Sequence, residues 1–303
     1  MEMHKYRKRL FEKVLDSNVK IILPETTDAR IISAIDKMKK IGFNIIALND
    51  FSDNYIHYKA SLSNKNFTKN WTEEMMDDYL KNSLVQGLLM LDNNRADCLV
   101  AGATTSTADV IKSSIRIIGV KNKWVSSSFL MIGPNAEKAF TYSDCGVIPE
   151  PDEKQLVSIA YNAAKSHKLL TDEVPKVVFL SFSTKGSAEH YKVSRMKNAV
   201  DLFSKKYPDI IHDGEMQFDA AININIAKNK NADSIIKGNG NVFIFPDLGS
   251  ANIAYKITQY LGKFEAWGPL LNGLNKPVHD LSRGTKVDDI ISISAIAAIE
   301  SLS

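Results

Sequence analysis

The sequence of 303 residues has two cysteines, Cys98 and Cys145, and neither belongs to a Cys-x-x-Cys pair. A zinc ribbon and a disulfide framework are therefore excluded. No apolar run approaches the ~18–20 residues needed to cross a bilayer. Charge of one sign is scarce as well. Against 38 Lys and Arg stand 35 Asp and Glu, a formal net charge of +3. That is too balanced for a dedicated nucleic-acid binder, yet no bar to a local basic pocket. The nucleotide fingerprints are missing: Lys185 precedes Gly186, so no GxxxxGK[ST] occurs, and no GxGxxG follows a strand-like run. The hydrophobic fraction of 44% and charged fraction of 24% exclude disordered, collagenous and low-complexity classes. The N-terminal stretch MEMHKYRKRLFEKVLDSN is basic, but it lacks an apolar core and contains Glu2, Glu12 and Asp16. It reads as an amphipathic first helix rather than a signal or transit peptide, with a cytoplasmic location expected.

What is present is alternation. Stretches at 19–23, 44–48, 98–101, 126–132, 177–182, 210–219 and 241–245 read as strands. Helical spacing follows many of them: Ile31, Ile35 and Met38 after a cap at Thr27; Ile111, Ile115 and Ile118; Val193, Met196, Val200 and Phe203. A helix is expected over 71–91, and residues 53–70 show no clear period. Further helices are expected over about 153–166, 253–261 and 287–302. Such alternation implies an α/β fold: two α/β domains with mainly parallel sheets, at roughly 150 residues per domain. Pro149-Glu150-Pro151 interrupts the pattern. The first domain is expected at 1–142 plus 287–303, and the second at 143–286.

Three loops rich in Gly, Ser and Thr open helices: Gly102–Thr107, Ser183–Ser187 and Ser282–Thr285. Helix N-termini present unpaired N–H groups and favour phosphate, although Ser and Thr cap helices without any ligand too. The densest stretch is HDLSRGTKVDD, 279–289. Arg283 suits two-pronged phosphate binding and Ser282 suits donation to a developing anion. Thr285 and Asp288 fit a capping box, which leaves Asp289 as the candidate general base. If extended, Asp213, Glu215, Gln217 and Asp219 share one face, as a Mg²⁺ site or as a polar edge paired with cations. Cys145 is a nucleophile or small core filling.

Together these segments resemble the phosphate acetyltransferase family. The carrying stretches are LPETTDARI (23–31), ADCLVAGATTSTADVIK (96–112), SDCGVIPEP (143–151), LSFSTKGSA (180–188), DGEMQFDAA (213–221), NVFIFPDLGSANIAYK (241–256) and GPLLNGLNKPVHDLSRG (268–284). The resemblance implies reversible acetyl transfer between acetyl phosphate and coenzyme A in a ternary complex, without metal or cofactor. It implies a fold with an interdomain cleft, like the isocitrate and isopropylmalate dehydrogenases, and a homodimer in acetate metabolism with acetate kinase as neighbour. No nucleic acid or membrane partner is implied. Carried onto this sequence, Asp289 takes the thiol proton, Ser282 stabilises the tetrahedral transition state and Arg283 binds the phosphate of acetyl phosphate. Ser183, Thr184, Gly186, Ser187, Thr104, Thr107, Lys256 and Tyr260 are expected to contact substrate.

Four positions depart from the family pattern: Tyr260 stands for an arginine, Thr105 for a histidine, Lys112 for an arginine, and Cys98 for the glycine of an ADG motif. They motivate two further readings: a phosphate butyryltransferase-like enzyme, or a weakened protein that still binds coenzyme A or phosphate. A metal-dependent dehydrogenase of the related fold would need Mg²⁺ and nicotinamide sites as well.

Overall fold

A computed structural model describes residues 3–121 and 123–303. They form two compact units, 1–123 with 268–303 and 124–267. In unit 1 the order is α1 (Lys5–Leu15), β1 (Lys20–Ile22), α2 (Ala29–Ile41), β2 (Asn44–Ile46), α3 (Asn49–Asp53), α4 (Tyr55–Ser63), α5 (Glu73–Tyr79), α6 (Ser83–Asp92), β3 (Cys98–Ala101) and α7 (Thr107–Ile117). Unit 2 runs through β4 (Ser126–Ile132), β5 (Ala139–Ser143), α8 (Glu153–Thr171), β6 (Lys176–Leu180), α9 (Tyr191–Lys206), β7 (Ile211–Met216), α10 (Phe218–Ile222), α11 (Ile224–Lys230), β8 (Val242–Ile244), α12 (Leu248–Tyr260) and the start of β9 (Glu265–Asn272), a strand during which the chain passes from unit 2 to unit 1. The chain then returns to unit 1 for β10 (Val278–Asp280) and α13 (Val287–Glu300).

The sheet of unit 1 has the order β10-β3-β1-β2, with every pair parallel. Parallel strands covered on both faces read as continuous apolar runs, and Ile21, Ile22, Leu99 and Val100 are all buried. Residues Ile290 to Ile299 of α13 are buried on every side, so this helix is the spine of unit 1. It packs against α1, α2 and β3. Buried Arg7 of α1 donates from Nε to Ser292 Oγ at 3.1 Å.

In unit 2 the sheet order is β7-β6-β8-β5-β4-β9. Its β5, β8, β6 and β7 pair in parallel, and β4 pairs antiparallel with β5. Alternate side chains of β6 enter different cores. Val177 and Phe179 pack with Leu156, Ala160 and Met196, whereas Val178 and Leu180 pack with Phe129, Met216 and Phe243.

Several local expectations change. Residues 55–63 form α4 although no apolar stripe announces it; Tyr58 and Leu62, one turn apart, are the buried anchors. The helix expected over 71–91 breaks at Lys81, and Asn82 starts α6 by accepting from Leu84 N–H at 2.9 Å. The strand expected to Asp219 ends at Met216, and Gln217 opens α10. The cap of α2 is Asp28 rather than Thr27.

Candidate active site

The loops after β1, β3 and β10 leave the carboxyl ends of neighbouring strands in one parallel sheet. Between β1 and β3 the chain changes direction across the sheet, because β2 lies on one side of β1 and β3 on the other. Ligands of α/β folds usually sit at such a switch point. Here Glu25, buried in the loop after β1, is bound through its carboxylate by the loop that follows β3. Its Oε2 accepts from Gly102 N–H at 2.8 Å and Ala103 N–H at 2.7 Å. Its Oε1 accepts from Thr104 N–H at 3.0 Å, Thr104 Oγ1 at 2.9 Å and Thr105 N–H at 2.8 Å. Burial pushes this carboxyl up, but the bonds from Thr104 and Thr105 outweigh it and hold the group below its ordinary range. The donors expected to greet a phosphate thus hold a carboxylate of the chain itself.

Thr107, in the first turn of α7, donates from Oγ1 to Asp280 Oδ2 at 2.6 Å. Asp280 is fully buried at the end of β10, and its Oδ1 has no hydrogen-bond partner among the described residues. Burial and the nearby charge of Glu25 raise its carboxyl to about 7, against the Thr107 and Leu281 hydrogen bonds. Gly102, at φ +106°, makes this close approach possible: a Cβ there would collide with Asp280 Oδ1 and lie 2.7 Å from Leu281 N.

Just beyond Asp280 the exposed loop Ser282-Arg283-Gly284 begins. Ser282 Oγ lies 3.0 Å from Thr285 Oγ1, and Thr285 N–H donates to the Ser282 carbonyl at 3.0 Å. Arg30 ties the loop down, donating from Nη1 to the carbonyls of Arg283 at 2.8 Å and Thr285 at 3.2 Å. The capping expected of Thr285 and Asp288 belongs to the next residues along. Lys286 precedes the first turn of α13, and Asp289 Oδ2 accepts the Lys286 N–H at 3.1 Å. Asp288 instead faces Lys37 Nζ at 3.5 Å on the surface. Asp289 therefore has a structural duty, which the expectation that capping fell to Asp288 did not give it.

In unit 2, Ser183, Thr184, Gly186 and Ser187 form one loop after β6. Ser183 is fully buried and donates to Glu215 Oε1 at 2.9 Å; Gly186 N–H donates to the same oxygen at 2.8 Å. Thr184 Oγ1 accepts from Gln217 N–H at 3.0 Å, and Ser187 Oγ accepts from Thr184 N–H at 3.1 Å. Gly186 and Ser187 are exposed. The carboxylates that formed one face in an extended reading go separate ways. Asp213 meets Lys185 Nζ at 2.6 Å, Glu215 holds the loop, and Asp219 meets Lys230 Nζ at 2.7 Å. Among the described residues no group of three or more His, Cys, Asp or Glu is arranged to hold a metal ion. Lys256 and Tyr260 lie exposed on α12.

Cys145 is buried, and burial pushes its thiol well up, which suits core filling and not nucleophilic attack. Beside it, Asp144 accepts from Ser127 Oγ at 2.7 Å and from the N–H groups of Gly146 and Ile148 at 3.0 and 2.9 Å. Sequence reading missed the roles of Glu25, Arg30, Asp144 and Asp280. Glu25, Arg30 and Asp280 meet partners distant in the chain, and Asp144, directly after β5, binds Ser127 and the turn that follows it.

Residues 41–298 match the model of the family described as phosphate acetyl/butaryl transferase. The chain is 36% identical to the phosphate acetyltransferase of Acetivibrio thermocellus, covering 97% of this chain and 98% of that protein. It is 37% identical to the phosphate acetyltransferase of Bacillus subtilis, covering 96% and 97%. A phosphotransacetylase structure from Streptococcus pyogenes is similar at TM-score 0.90 and 35% identity, over 100% of this chain and 99% of that one. With a loop of exposed serine and arginine at a parallel strand end, and matches that run through almost the whole sequence, the chain belongs to the phosphate acetyl/butaryl transferase family.

Proposed function

We propose that this chain is a phosphate acetyltransferase, interconverting acetyl-CoA plus phosphate with coenzyme A plus acetyl phosphate. The observation that carries this reading is the exposed Ser282–Arg283 pair at the end of β10, one short turn before Asp289 at the start of α13. In the direction of thioester formation, Asp289 accepts the proton of the coenzyme A thiol. A base helps because a thiol with a reference pKa near ~8.5 is mostly protonated at neutral pH. The thiolate attacks the carbonyl carbon of acetyl phosphate and forms the C–S bond. Negative charge gathers on the carbonyl oxygen, to which Ser282 donates. The C–O bond to phosphate then breaks, and phosphate leaves against the Arg283 guanidinium.

In unit 2, the exposed backbone of Gly186 and hydroxyl of Ser187 serve as substrate contacts, on a loop that Ser183 and Thr184 hold in place. Lys256 and Tyr260 extend the contact surface for substrate. Thr104 and Thr107 contribute by ordering Glu25 and Asp280. The scheme uses no metal or cofactor. The working form is a homodimer in the cytoplasm, linked through acetyl phosphate to acetate kinase and acetate metabolism.

The test is release of free thiol from acetyl-CoA and phosphate. Wild type is expected to turn over acetyl-CoA in preference to butyryl-CoA. Asp289→Asn should lower kcat by roughly 10²–10⁴-fold. Arg283→Ala should raise KM for phosphate and lower kcat/KM. Unchanged rates in both variants would remove the site assignment, and preference for butyryl-CoA would remove the acetyl specificity.

A further inference from the structure

Arg30 sits in the first turn of α2, and its guanidinium is saturated. An arginine offers five N–H donors. Nε donates to Asp28 Oδ1 at 3.1 Å, and Nη2 to Asp28 Oδ2 at 2.8 Å and the Ala103 carbonyl at 3.0 Å. Nη1 donates to the carbonyls of Arg283 and Thr285 at 2.8 and 3.2 Å. One planar group therefore joins three segments: the start of α2, the loop after β3 and the loop after β10. No donor remains for a substrate, so Arg30 is not itself a phosphate ligand in this arrangement.

We infer that Arg30 is the positioning residue of the Ser282–Arg283 loop, fixing the peptide that carries Arg283 so that its exposed guanidinium is presented to phosphate. The inference rests on the role given to Arg283 above. Its physical basis is the contrast between that backbone and that side chain. The carbonyls on either side of Gly284 point at Arg30, whereas a Cβ on Gly284 would find nothing within 4 Å. At the tip of the loop Gly284 therefore faces open space, while Thr285 is buried. Asp28 in turn orients Arg30: it caps α2 by accepting Arg30 N–H at 2.8 Å and clamps the guanidinium from the same side chain. The Arg30 hydrogen bonds hold the Asp28 carboxyl down at about 2, so the clamp stays charged across the working pH range. Lysine cannot replace this residue, because it has three donors on a point charge and no planar fork.

The experiment is a kinetic cycle on the full chain, with acetyl phosphate and coenzyme A as substrates. Its variants are Arg30→Lys, Arg283→Ala and the double variant, with thermal melting of each. Arg30→Lys is expected to raise KM for acetyl phosphate roughly ten- to a hundredfold, the scale of a displaced binding group, while KM for coenzyme A stays near wild type. In the Arg283→Ala background the same substitution should add little, because it acts through the side chain already removed. If Arg30→Lys fails to fold, Asp28→Asn keeps the helix cap but weakens the clamp, and should reproduce the acetyl phosphate effect in milder form. Wild-type KM for acetyl phosphate in Arg30→Lys, or in Asp28→Asn where that variant stands in, would overturn the inference alone, provided Arg283→Ala is impaired. So would a full, additive loss in the double variant. Wild-type kinetics in Arg283→Ala would overturn the reading of Arg283 and this inference with it.

Discussion

The loop after β3 in unit 1 and the loop after β6 in unit 2 are written in similar residues, and each surrounds a glutamate. They are built differently. Four consecutive residues, Gly102 to Thr105, turn their N–H groups onto Glu25, and the Thr104 hydroxyl joins them. The loop around Glu215 contributes one N–H and one hydroxyl to that carboxylate, and its other hydroxyls bind within the loop or to Gln217. The first loop is closed on its internal anion. The second keeps Gly186 and Ser187 open to solvent. The lesson is that a hydroxyl-rich loop at a strand end announces an anion without saying whose it is. The third such loop makes the same point with the charge reversed, since Arg30 gathers its carbonyls and leaves Ser282 and Arg283 outside.

The sharpest way to break this comparison is at the glycines. Gly102→Ala places a Cβ against Asp280 Oδ1 and the Leu281 backbone at φ +106°. It should destabilise unit 1 by about 4 kcal/mol or more, or prevent folding. At Gly186, with φ +82°, the nearest atom to a new Cβ is the flexible Lys197 Nζ at 3.2 Å. Gly186→Ala should then cost only the left-handed strain of about 1–2 kcal/mol. Urea denaturation of both variants measures the gap, and equal losses would mean that the two loops are not packed differently.

A smaller contrast is expected at the glutamates. Glu25→Gln should destabilise by about 2–4 kcal/mol, because charge-assisted bonds from buried N–H groups are weakened. For Glu215→Gln, with fewer donors, about 1–2 kcal/mol is expected. The reverse order in denaturation would invert the comparison.

The smallest effect is read through pH. Asp280 titrates at about 7 in the folded chain, above its ordinary 3.8. The folded state therefore holds a proton that the unfolded state has lost between about pH 4 and 7. This group's contribution is fully present below the unfolded value and is lost as pH rises through 7. Glu25, whose carboxyl is held low, works in the opposite sense: its contribution is present above the unfolded value and lost as acid protonates it. Asp280→Asn should raise the melting temperature at pH 8 relative to wild type and erase that advantage near pH 5. A constant difference across the range would show that Asp280 does not titrate there.

Much of the fold was legible. The buried strands at 20–22, 98–101, 126–132 and 176–180 contain the apolar stretches II, CLVA, FLMI and VVFL, and the helices at 29–41, 107–117 and 191–206 keep a regular apolar spacing. The strands Ala139–Ser143 and Val278–Asp280 were not, because AFTYS and VHD are short and carry polar residues that burial alone explains. At the site, Ser282 and Arg283 could be singled out from local chemistry, since exposed groups need no partner to be recognised. Glu25 and Arg30 could not. Glu25 meets its donors 77 to 80 residues away, and Arg30 reaches carbonyls 253 and 255 residues away. The capping of α13 was misread by one position because both Asp288 and Asp289 suit a first turn, and only the backbone path decides which one turns back.

The return of the chain to unit 1 has a consequence for synthesis. Unit 2 is one contiguous stretch, and all of its sheet but the end of β9 is available once residue 267 has been made. Unit 1 begins first and finishes last. Its sheet lacks β10 and its interior lacks α13 until residues 268–303 emerge. The buried faces of α1, α2 and β3 must wait for that helix. Domains commonly fold from the N-terminus onward as the ribosome proceeds, but here unit 2 is almost wholly made while unit 1 still lacks its second segment. Ser282, Arg283 and Asp289 arrive with residues 268–303, so a nascent chain acquires the loop after β10 only as the core of unit 1 closes.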